Sequence, residues 1–66
     1  MRNLVGLYAV IRDDDVLAVS VDEPTAFPGV RVAQIFKVEK FTRSTWVRAT
    51  TRRGEELRAR VPATLL

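Results

Sequence analysis

No cysteine and no histidine occurs in this chain, so neither a disulfide nor the usual Cys/His zinc site can supplement its core. With only 66 residues that restriction is severe, because a domain of this size buries only about 60% of the surface its unfolded chain exposes. Length allows one domain, residues 1–66, and aliphatic side chains or a partner must stabilise it. The hydrophobic fraction of 47% is that of an ordinary globular fold.

The spacing of the aliphatic residues predicts strands. Leu4–Arg12 and Val16–Asp22 are rich in Val, Leu, Ile, Ala and Tyr and are separated only by Asp13, Asp14 and Asp15, the pattern of a hairpin. A three-residue loop would set Ile11 opposite Leu17, Ala9 opposite Val19 and Leu7 opposite Val21 on one face, with Val10/Ala18 and Tyr8/Ser20 on the other. Residues 22–29 hold two Pro and a Gly and form the longest loop, with Phe27 expected to plug one end of the core. Val30–Phe41, Trp46–Arg52 and Leu57–Val61 continue as a meander through turns at Thr42–Thr45 and Arg53–Glu55. Phe41 set opposite Trp46 and Arg52 opposite Glu56 put Phe36, Val38, Val47, Ala49, Ala59 and Val61 on one inner face. Lys40 falls opposite Val47 on that side, near an open end where its head reaches water. With Leu7, Ala9, Ile11, Val19 and Val21 these residues make the expected core. Pro62 ends the last strand, and residues 63–66 are expected to make a single helical turn that returns Leu65 and Leu66 to the barrel. The predicted fold class is all-β, a five-stranded small antiparallel barrel or strongly bent sheet.

The order of these elements resembles the Src-homology-three fold. Leu7-Tyr8 near the start, the acidic hairpin tip, Trp46-Val47-Arg48-Ala49, the Gly54 turn and Val61-Pro62-Ala63 carry the resemblance over nearly the whole chain. In that family the matching aromatics and Pro line a groove for proline-rich peptides, which implies a groove of Tyr8, Trp46 and Pro62 here, with Asp13, Asp14 and Asp15 capturing a peptide Arg. Ala9, Val47 and Leu65 stand where the family has an acidic residue, a second Trp and a late Tyr. A groove lacking those aromatics binds polyproline II ligands poorly, so a degenerate proline-peptide-binding domain is the third functional expectation, not the first.

Chemistry is sparse. Ser and Thr have no His to activate them, no Gly-rich phosphate loop exists, and three adjacent Asp on a hairpin tip point in divergent directions rather than converging on one ion. A solvated turn, in which Asp tolerates left-handed backbone angles, is the expected role of the triplet. No catalytic site, no cofactor, no metal and no small-molecule substrate is expected. Met1 is followed by neither a basic segment nor an apolar run near the roughly 18 residues of a membrane span, so the expectation is a cytoplasmic protein without a membrane partner.

The formal charge of +3 conceals an asymmetry. Residues 1–30 carry two basic and five acidic side chains, net −3, whereas residues 31–66 carry nine basic and three acidic ones, net +6. The predicted outer face of the last three strands gathers Lys37, Phe41, Trp46, Arg48, Thr50, Arg58 and Arg60, basic and aromatic together. Three uses follow from that composition. The first is a protein partner or self-association, since Trp and Arg dominate interface hot spots and opposite charges at the two ends favour assembly. The second is DNA or RNA, with Arg and Lys on phosphates and Trp46 and Phe41 stacking on bases; in layout the face resembles the small basic barrels of archaeal chromatin, although the acidic first half departs from them. The third is a solvated face, in which Phe41 and Trp46 form a cross-strand pair and Glu39 and Arg48 an ion pair. Size alone also suits phage-encoded or bacterial accessory proteins.

Overall fold

A computed structural model describes residues 3–66 and contains five strands: β1 (Tyr8–Arg12), β2 (Asp15–Ser20), β3 (Arg31–Phe41), β4 (Ser44–Thr51) and β5 (Glu56–Val61). They close into a barrel in the order β1-β2-β5-β4-β3. Every pairing is antiparallel except that of β2 with β5, which run parallel and meet only at Asp15 and Arg60. A 3-10 turn at Ala63–Leu65 follows Pro62. Leu65 packs against the core, whereas Leu66 stays on the surface, so one of the two expected leucines returns to the barrel. Among the described residues no helix is long and apolar enough to cross a membrane.

Turn length sets the strand registers, and each turn departs from the expected one. The β1–β2 loop has two residues, Asp13 and Asp14, with Asp13 at φ 53°, a left-handed angle that a short polar side chain tolerates. Ala9 pairs with Val19 and Val10 with Ala18 as expected, but a bulge then sets Ile11 opposite Val16 instead of Leu17. Leu17 is the extra residue, and it is exposed. Thr42 and Arg43 alone turn β3 into β4, which puts Phe41 opposite Ser44, not Trp46, and Lys40 opposite Thr45, not Val47. Between β4 and β5, Arg52, Arg53 and Gly54 make the turn: the Gly54 N–H donates to the Thr51 carbonyl at 2.9 Å, the Thr51 N–H donates to the Glu55 carbonyl at 2.8 Å, and Gly54 has φ 86°. Glycine supplies that positive φ without a Cβ clash. Thr50 consequently faces Glu56, so the expected Arg52/Glu56 pairing is replaced by one displaced by two residues.

A displacement of two preserves which face a side chain occupies, whereas a bulge reverses it. Val47, Ala49, Ala59 and Val61 are therefore buried as expected, with Ala9, Ile11 and, half-buried, Leu7, Val19 and Val38. Phe36 is a correction. A bulge between Ile35 and Lys37 turns Ile35 and Ala33 inward at 1% and 2% exposure and leaves Phe36 outside at 45%. Val21 is a second correction: β2 ends at Ser20, whose hydroxyl donates to the Asp22 carbonyl at 2.6 Å, and Val21 is 73% exposed. Phe27 plugs nothing, being 51% exposed beside the Pro28-Gly29 turn.

Leu4 enters the core instead. The sequence pattern made it part of the first strand, but the Leu7 N–H donates to the Leu4 carbonyl at 3.1 Å and Gly6 takes φ 90°, a turn that folds Leu4 inward. The Gly6 N–H donates to the Ile35 carbonyl and the Ile35 N–H to the Leu7 carbonyl, both at 2.9 Å, tying that turn to the bulged stretch of β3.

Candidate functional site

Side chains of β3, β4 and β5 that point away from the core form two rows across the sheet. One runs Lys37, Arg48, Arg58; the next runs Glu39, Trp46, Arg60 and reaches Asp15 of β2. Phe41 and Thr50 lie on the same face, so the structure brings together Lys37, Phe41, Trp46, Arg48, Thr50, Arg58 and Arg60. Phe41 is 52% exposed and Trp46 is half-buried.

The two members of the aromatic pair, Phe41 and Trp46, are diagonal neighbours rather than directly opposite each other. Arg58 joins them, with its guanidinium carbon 5.4 Å from the Phe41 ring centroid and 5.1 Å from that of Trp46. Arg48 lies 5.6 Å from the centroid of Phe36. Cations held this close to ring faces are attracted by the negative charge of the π system.

Every arginine of the face also has a carboxylate. Arg58 Nε is 3.3 Å from Glu39, Arg60 is 3.0 Å from Asp15, and Arg48 is ion-paired with Glu56. The Glu39/Arg48 pair drawn from the sequence is thus replaced by two diagonal ones, because the register shift moves Glu39 toward Arg58 and Arg48 toward Glu56. Glu56 raises the pKa of Arg48 above its ordinary value, first by accepting its hydrogen bond and then by its charge, against a smaller opposing effect of burial. Outside this set, Arg31 pairs with Glu55 and Arg52 with Glu23. Lys37 has no ion-pair partner among the described residues.

Phe36, Glu56 and Asp15 join the site without being expected there, and Glu39, expected on this face, has Arg58 as its partner rather than Arg48. Strict alternation puts Phe36 in the core, and no residue in its neighbourhood signals the bulge. The sequence pattern puts Asp15 in the hairpin tip, yet it begins β2 and accepts from Arg60 Nε at 3.1 Å. Its alternation with Val16 could have suggested a strand position.

The face continues past Phe36 into an open cleft of about 460 Å³ between Tyr8, Gln34, Thr50 and Arg52. Tyr8 lines this cleft but Trp46 and Pro62 do not, so the cleft is not the groove of Tyr8, Trp46 and Pro62 that the Src-homology-three resemblance implies. Comparison with protein-family models, with curated proteins and with solved structures finds no match to this chain.

Proposed function

We propose that this barrel is a non-catalytic protein-binding module whose contact surface is the outer face of β3, β4 and β5, centred on Trp46, Phe41 and Phe36. The observation that carries this reading is that Arg48, Arg58 and Arg60 are each held by a carboxylate while Phe36 and Phe41 stay exposed. A phosphate approaching these guanidiniums meets the nearby negative charge of Glu56, Glu39 and Asp15, which offsets part of the counterion release that is the main source of nucleic-acid affinity. A protein surface does not depend on that approach. It covers the aromatic rings and the stems of the arginines, the composition that dominates interface hot spots.

Nucleic-acid binding is the second reading, favoured by Lys37, which has no ion-pair partner among the described residues. Retention on heparin and on DNA at two salt concentrations, with capture of a protein partner measured in parallel, separates the two. The protein-binding reading requires that the free chain ignore polyanions at physiological salt and that Trp46→Ala abolish capture. Retention that falls steeply with salt, with a slope reduced by about 0.7–0.9 for each phosphate contact removed, would replace it with the nucleic-acid reading.

A further inference from the structure

Between β2 and β5 the barrel is closed by a single residue pair, Asp15 and Arg60. Hydrogen-bonded residue pairs alternate along an antiparallel ladder, and the Thr51 N–H donates to Glu55 across the start of the β4–β5 ladder. Counting from there, Leu57, Ala59 and Val61 aim their backbone groups at β4. Glu56, Arg58 and Arg60 aim theirs away from it. The Arg60 N–H bears this out, since it leaves the sheet to donate to the Asp14 carbonyl at 2.7 Å. β2 meets β5 only at that point, so no strand covers the outward N–H and C=O groups of Glu56 and Arg58 among the described residues.

An open strand edge is a template for another strand, and charged side chains on it usually discourage that pairing. Here the two charges are opposite and two residues apart. The geometry points to a second copy of this chain as the occupant, its β5 running antiparallel to the first with Glu56 of each copy opposite Arg58 of the other. Both residues present outward backbone groups, so each such pair exchanges two hydrogen bonds. The neighbouring registers that keep this parity fail. Sliding one way sets Glu56 against Glu56, and sliding the other sets Arg58 against Arg58 and Glu56 against Arg60, whose N–H is already engaged by Asp14. Like charges directly opposite destabilise a sheet. In the remaining register the half-buried Leu57 side chains meet at the twofold axis, and the two outer faces join into one six-stranded surface. This goes beyond the proposed protein-binding role and does not depend on it.

The test is sedimentation across a concentration series reaching the millimolar range. The mass should rise from 7.5 kDa toward twice that value. Arg58→Pro removes one outward N–H without touching the ladder to β4 and should remain folded by circular dichroism but sediment as a single chain. Glu56→Arg and Arg58→Glu should each stay monomeric alone and form a mixed dimer when combined, because every cross-strand pair is then of opposite sign. A wild-type chain that stays monomeric at the highest concentration overturns the proposal and leaves the protein-binding reading intact. A dimer that survives Arg58→Pro, or that is lost in Trp46→Ala, also overturns it by placing the contact elsewhere.

Discussion

Arg58 sits over the Trp46 ring at 5.1 Å while its Nε lies 3.3 Å from Glu39, so one side chain joins the aromatic and the charged components of the outer face. Each exposed cation–π contact is worth about 0.5–1 kcal/mol, and Arg58 makes two. Its ion pair adds little, because more than half of the Arg58 side chain is in water. Arg58→Ala is therefore expected to cost about 1 kcal/mol, a fall of about 4–8 °C in Tm for a domain of this size, and to change the emission of Trp46. Unchanged melting and fluorescence would mean that the stacking does not persist in solution.

The bulge in β3 makes neighbouring residues opposite in consequence. Ile35→Ala should cost about 2–5 kcal/mol by opening a cavity in the core, which is much of a small domain's total stability. Phe36→Ala should cost only about 0.5–1 kcal/mol, the worth of its exposed cation–π contact with Arg48. Urea denaturation of the two variants ranks them, and the reverse ranking would restore unbroken alternation.

At the β1–β2 tip, Asp13 at φ 53° occupies a region where a β-branched residue is strained. Asp13→Val is expected to destabilise by about 1–2 kcal/mol, while Asp13→Asn, which tolerates the same angle, should be nearly neutral. Equal melting temperatures for the two variants would argue that Asp13 takes an ordinary strand or turn angle.

Amide hydrogen exchange reads the backbone parity of β5 directly. In dilute solution Leu57, Ala59 and Val61 should be protected, Glu56 and Arg58 should exchange fast, and Arg60 should fall between them because its single partner is the Asp14 carbonyl. Uniform protection along the strand would show that the edge is covered in the single chain.

What was legible in the sequence is the division of the last two strands into faces. Val47, Ala49, Ala59 and Val61 alternate with Trp46, Arg48, Arg58 and Arg60, and that period of two is a local property of the chain that a register error of two residues leaves intact. It sufficed for the all-β barrel and for the membership of the basic, aromatic face. The placement of Phe36, Leu17 and Leu4 was not legible, because a bulge is defined only against the partner strand that lacks the extra residue, and Leu4 is folded inward by a turn hydrogen-bonded to Ile35, distant in sequence. The pairing of each arginine was likewise decided by tertiary structure. Turn lengths differing by one or two residues move Glu39 to Arg58 and Arg48 to Glu56, and barrel closure brings Asp15 to Arg60 across 45 residues of chain. Local alternation determines which side of a strand a residue takes, and the partner strands and the closure of the sheet determine what it meets there.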